Sequence, residues 1–101
     1  MNDAVNISRR FVDSVKKSGV TVQKAYLFGS FAKDQIRPDS DIDICVVSDQ
    51  LGNDFISEMV KLRKISLKID DRIEPIPYGP EDFANKYDPL AHEIQNTGIL
   101  L

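Results

Sequence analysis

The sequence predicts an α/β protein, a small mixed β-sheet packed by helices, and three observations carry that expectation. Apolar residues recur with helical spacing in two separate stretches, three short runs have strand character, and the two kinds of segment interleave along the chain. With 42% hydrophobic and 29% charged residues in a length of 101, there is enough apolar surface for one core and too little chain for two. A single domain over 1–101 is therefore expected.

Residues 3–18 place Val5, Phe11, Val12 and Val15 on one face of a helix that Gly19 stops. Residues 22–28 form a first strand. Between 29 and 38 the pattern breaks, from the pair Gly29-Ser30 to Arg37-Pro38-Asp39-Ser40, which is turn chemistry with room for a short helix in the middle. Residues 41–48 alternate and then run apolar through Ile44, Cys45, Val46 and Val47, as a central strand covered on both faces does. After a turn at 49–52, Asn53 or Asp54 caps a helix to about Ile69, with Phe55, Met59, Leu62, Ile65 and Ile69 on one side and Lys61, Lys64 and Lys68 on the other.

A third strand over 70–78 contains Pro75 and Pro77, which have no amide hydrogen to donate and so place it at a sheet edge or a strand end. Pro80 and Pro89 open two short helices, the second ending at Gly98. The apolar tail Ile99-Leu100-Leu101 either packs back or meets another chain. The second is expected, because so small a protein has little surface of its own with which to enclose ligands.

Several function classes fall away. No run of eighteen apolar residues occurs, and Met1-Asn2-Asp3-Ala4 lacks a basic segment followed by an apolar one, so no membrane role is expected and the cytoplasm is the default compartment. The lone Cys45 cannot form an internal disulfide and reads as a buried, inert thiol. A net charge of −3 argues against direct binding to nucleic acid, which needs clustered positive charge to displace counterions. It does not exclude a nucleotide held by a few local contacts and metal ions.

The chemistry concentrates around two carboxylates. Asp41 and Asp43 stand two apart at the head of an apolar strand, on one face by strand periodicity and roughly 6–7 Å apart at the backbone. Uncompensated, they repel; Mg²⁺ resolves the repulsion by taking oxygen ligands from one or two carboxylates and completing its shell with phosphates and water. Gly29 lets the backbone approach a ligand, and Ser30 offers a hydroxyl and an amide where a phosphate can sit, with Lys33 one turn on. Singly, Gly29-Ser30 reads as a capped turn and Ser40-Asp41 as a turn closure. Together, unpaired acids beside a glycine turn favour a site. His92, with Glu93 and Gln95 beside it and no partner ligands, reads as a solvated helix residue, and the lysine stripe as an exposed face.

Leu27-Phe28-Gly29-Ser30-Phe31-Ala32-Lys33-Asp34, followed by Ser40-Asp41-Ile42-Asp43, resembles the polymerase β-type nucleotidyltransferase superfamily, and within it the minimal nucleotidyltransferases. The resemblance covers 26–47 well and the rest in element order. It implies the nucleotidyltransferase fold, a nucleoside triphosphate (ATP or another) bound at Gly29, Ser30, Lys33 and Ser40, and two Mg²⁺ ions on Asp41 and Asp43. It also implies a third acid from a later strand, for which Glu74 is the candidate and Asp71 and Asp70 the alternatives. Two departures stand out. Lys33-Asp34 replaces the usual Arg-Gly, putting a negative charge near the triphosphate, and Glu74 replaces the commoner Asp.

Minimal nucleotidyltransferases are often encoded beside a helical HEPN protein as antitoxin and toxin, so the resemblance implies a hetero-oligomer with a HEPN-type toxin. The expected activity is transfer of AMP from ATP to a hydroxyl of that partner. The alternative is a non-catalytic antitoxin that neutralises by contact. A small-molecule transferase of the aminoglycoside-modifying kind ranks last, since it needs a further domain to build the acceptor pocket.

Overall fold

A computed structural model describes residues 2–29 and 41–101. The first helical pattern becomes α1 (Asn2–Lys17), which buries Ala4, Ser8, Phe11, Val12 and Val15 in one stripe. The Ser8 hydroxyl costs little there because it donates to the Ala4 carbonyl at 2.6 Å. Strand β1 (Lys24–Phe28) begins two residues later than the sequence suggested, although the Gln23 amide still donates to the Val47 carbonyl. Strand β2 (Ile42–Val47) is antiparallel to β1 and parallel to β3 (Ile73–Tyr78). The link between these parallel neighbours is α2 (Phe55–Leu67), since a parallel pair requires a crossover.

After β3 come α3 (Pro80–Phe83), α4 (Pro89–Thr97) and β4 (Ile99–Leu100), and the sheet order is β3-β2-β1-β4. Strand periodicity divides the core into two layers. Ala25, Leu27, Ile42, Ile44, Val46 and Ile73 pack with the α1 stripe and Leu62. On the opposite face Phe28, Cys45, Val47 and Tyr78 pack with Phe83, Ala91 and Ile94 of α3 and α4. Each fully buried Leu, Ile or Phe contributes about 1.5–3 kcal/mol of transfer free energy, so β2, buried on both faces, is the energetic centre of the sheet.

The prolines of β3 fall where they cost no ladder bonds. Ile42 donates its amide to the Arg72 carbonyl and Ser48 donates to Tyr78, so the even-numbered residues of β3 bond β2 while Pro75 and Pro77 point to the free edge. The edge assignment made from sequence holds.

Two expectations fail. The tail does not project towards a partner: Ile99 and Leu100 pair with Leu27 and Tyr26, and the Leu101 amide donates to the Ala25 carbonyl at 2.9 Å. The outer edge of β1 is thereby covered, and a two-residue strand is too short to leave a periodic signal. Phe55 does not join the inward side of α2 but is 56% exposed. The first turn of α2 is fixed by capping rather than packing. Asp54 accepts from the Ser57 amide, and the Glu58 carboxylate accepts from the Gly52, Asn53 and Asp54 amides. Further along, Leu62 and Ser66 are buried, and the three lysines are exposed as expected. No helix among the described residues is long and apolar enough to cross a membrane.

Candidate active site

Sheet register brings the acidic residues together. In the antiparallel ladder Phe28 lies opposite Asp43, so Gly29 follows directly above the Asp43 side chain. In the parallel ladder Asp43 lies beside Glu74. Both acids occupy the sheet face that also carries Cys45 and Ile76, and each keeps part of its surface in solvent. Gly29 has φ of 74°, the left-handed region, and a Cβ on it would run into the Asp43 carboxylate oxygen. Backbone and carboxylate therefore meet as closely as a glycine permits.

The electrostatics of the cluster are unfavourable as it stands. Burial pushes the Asp43 carboxyl up from its ordinary 3.8 to about 6, and the negative charges of Asp41 and then Glu74 add to the push. Asp41, exposed at the position before β2, is thus near enough to act on Asp43. A crowded, partly desolvated carboxylate group of this kind marks a functional site more often than a structural one, because nothing in folding alone rewards it.

Glu74 has a partner that the sequence did not disclose. Arg63 of α2 places Nη1 3.2 Å from Glu74 Oε1 and donates to the backbone carbonyl of Ile73 at the free edge. Arg63 lies outside the lysine stripe, and the only signal that could have found it is the register between α2 and β3, which helical periodicity does not contain. Asp70, an alternative third acid, is held by Arg72 through Nε–Oδ1 at 3.1 Å and Nη2–Oδ2 at 3.0 Å. Asp71 is exposed in the turn before β3. Neither is in register with Asp43.

Ser30, Lys33, Asp34 and Ser40 lie outside the described residues. His92 is exposed on α4, with Nδ1 3.0 Å from the Asn96 amide nitrogen. Cys45 is buried, its thiol pushed up to about 12 by burial and by the charge of Asp88, and is inert as expected.

The donor set suits a hard divalent cation: oxygen ligands only, with a surplus of negative charge around Asp43. Among the described residues no three potential ligands are already gathered to hold an ion, and Glu74 is engaged by Arg63. Asp41 and Asp43 are the pair that can hold a metal through carboxylate oxygens. Glu74 joins them only by leaving its arginine.

Several solved structures share this architecture. A toxin–antitoxin with AMP-PNP aligns with a TM-score of 0.69 at 18% identity, covering 92% of this chain and 70% of its own. A mutant of the toxin–antitoxin MntA-HpeT gives 0.68 at 16% identity, with the same coverage of each chain. A nucleotidyltransferase described as putative, from Sulfolobus solfataricus, gives 0.67 at 18% identity and covers 97% of this chain and 78% of its own. At such identities the likeness is one of fold. No curated protein matches the sequence. The model of the nucleotidyltransferase domain family matches residues 8–94, which span both aspartates, the Gly29 turn and Glu74, and the chain belongs to that family.

Proposed function

We propose that this chain is a Mg²⁺-dependent nucleotidyltransferase that transfers AMP from ATP to a hydroxyl group of a partner protein, as the antitoxin of a HEPN-type toxin. The observation that carries the reading is Asp43 against the Gly29 turn and in register with Glu74, its carboxyl raised to about 6 by burial and by the charges of Asp41 and Glu74. Family membership supports the transfer chemistry. Two of the structures with this fold are toxin–antitoxins, one of them with AMP-PNP, and they support the adenine nucleotide and the toxin partner.

In this reading Asp41 and Asp43 hold the metal, while Gly29, Ser30, Lys33 and Ser40 receive the triphosphate. Bound Mg²⁺ would neutralise the carboxylates and stabilise the charge on the entering and leaving oxygens of an in-line displacement at the α-phosphorus. The backbone at Gly29 admits the phosphates to within reach of Asp43 because no side chain intervenes. Glu74, once released from Arg63, accepts the proton of the acceptor hydroxyl as its oxygen bonds the α-phosphorus and pyrophosphate leaves. Positioning and electrostatics then supply most of the rate, as in phosphoryl transfer generally.

The test is an intact-mass measurement. The chain is mixed with a HEPN protein encoded beside it, ATP and Mg²⁺; the partner should gain the mass of AMP, and Asp41→Asn with Asp43→Asn should abolish the gain. One observation favours the contact-only alternative, namely that Glu74 is engaged by Arg63, and the departure at Asp34, an acid where the motif usually has Gly, points the same way. Neutralisation of the toxin by the double variant, with no mass gain by either protein, would establish that alternative instead.

A further inference from the structure

The outward face of α2 is apolar where a helix on the surface of a lone domain should be polar. Ile56, Val60 and Leu67 are 75%, 50% and 54% exposed, and their spacing of four and eleven places them in one stripe. The stripe has a charged border on each side. About a quarter-turn away run Lys61, Lys64 and Lys68, all exposed, and on the opposite flank stands Arg63, paired with Glu74. The acids of this helix lie elsewhere, since Asp54 is its N-cap and Glu58 is bound to the amides of 52–54.

The charge pattern selects the occupant. A second copy of the chain, packed stripe to stripe about a two-fold axis, would set lysines against lysines with the helices antiparallel, and with them parallel would set the lysines against a border whose acid, Glu74, is already bound to Arg63. A partner with a matching apolar stripe and acids along its lysine-facing border pairs the three lysines. The stripe is also continuous with the candidate active site: Val60, Arg63 and Lys64 line, with Glu74 and Pro75, a shallow groove of 470 Å³.

We propose that this face of α2 is the docking surface for a different protein, one that presents an amphipathic helix with an apolar stripe bordered by Asp and Glu. A partner seated there reaches, along the groove at the β3 edge, the Arg63–Glu74 pair that borders the candidate site. The inference rests on the proposed function for the meaning of the partner, but not for the surface itself.

Amide chemical-shift titrations of the isotope-labelled chain test it. The probes are two synthetic amphipathic helices with the same leucine stripe, one bordered by Glu and one by Lys. The expected result is that the Glu-bordered peptide shifts Ile56, Val60, Lys64 and Leu67 and binds at least about tenfold tighter than the Lys-bordered one. Val60→Glu should weaken that binding by about tenfold or more, and Lys61→Glu with Lys64→Glu and Lys68→Glu should reverse the preference between the peptides. All four positions are exposed, so loss of fold is not at issue, and the unchanged spectrum of the β2 amides verifies it in each variant. Equal binding of both peptides, no binding, shifts confined to another surface, or self-association through the same residues would each overturn the proposal. Adding Mg²⁺ and ATP to the same samples separates the two ideas: no shift at Gly29 or Asp43, with peptide binding intact, sinks the nucleotidyltransferase reading and leaves the docking surface standing.

Discussion

Gly29 and Asp43 meet so closely that a Cβ on the glycine would force the aspartate's carboxylate to swing away from its place. The conflict adds to the backbone cost, because at φ of 74° an L-residue is already strained by about 1–2 kcal/mol. Gly29→Ala should therefore lose roughly 2–4 kcal/mol of stability, measurable by urea denaturation. Replacing Asp43 by Ala in the same chain should recover about half of that loss, since the overlap disappears and the backbone strain remains. If the two substitutions are simply additive, the overlap is not what Gly29 avoids.

The charge at Asp43 should make the fold less stable above neutral pH than the corresponding amide. Its carboxyl is raised from 3.8 to about 6, so the folded state holds a proton that the unfolded chain has released throughout that window, and stability falls as pH rises across it. Asp43→Asn should match the wild type below about pH 4 and exceed it by about 1–2 kcal/mol above pH 7, a figure reduced from the full shift because the carboxyl is only partly buried. Melting curves across pH check this, with an expected gain of about 5 °C at pH 7.5. A variant that is no more stable than the wild type at that pH would mean the cluster carries no electrostatic strain.

Much of this was legible in the sequence, and the boundary is informative. β2 announced itself because a run such as Ile44-Cys45-Val46-Val47 needs cover on both faces, and Pro75 and Pro77 announced an edge because a missing amide is tolerated only where nothing receives it. The pairing of Asp43 with Glu74 depends on the parallel register of β2 and β3, which periodicity does not contain; the motif resemblance implied only that a third acid comes from a later strand. Arg63 and β4 were invisible for the same reason. One depends on how a helix seats against a strand, the other on an edge left open by β1, and both are properties of pairs of elements rather than of segments. The exposure of Phe55 shows the converse, since helical spacing placed it inward while a network of caps fixed the first turn of α2.

Arg63 stands between stability and metal binding. Its guanidinium donates to the Ile73 carbonyl and pairs with Glu74, so Arg63→Met should cost about 0.5–1.5 kcal/mol for the lost hydrogen bond and leave the edge carbonyl to water. The same change frees Glu74 and removes a cation beside the carboxylates. Calorimetric titration with Mg²⁺ should then show affinity increased by roughly threefold or more. Weaker Mg²⁺ binding by Arg63→Met would indicate that the arginine positions Glu74 for the metal instead of competing with it.

Tyr78 and Asp88 fasten α4 to the sheet face that carries the acids, and they should not be equivalent. The Tyr78 hydroxyl donates to Asp88 Oδ2 at 3.0 Å, while Asp88 Oδ1 accepts from the Ala91 amide at 3.0 Å as the N-cap of α4. Tyr78→Phe loses one hydrogen bond, about 0.5–1.5 kcal/mol, and leaves the cap in place. Asp88→Ala removes the cap, worth about 0.5–2 kcal/mol, and also strands the tyrosine hydroxyl, so its cost should be the larger by about 1 kcal/mol. Amide exchange gives the finer check. In Asp88→Ala the amides of 91–94 should exchange faster relative to those of β2, whereas in Tyr78→Phe the ratio should hold, because only the first variant opens the helix end.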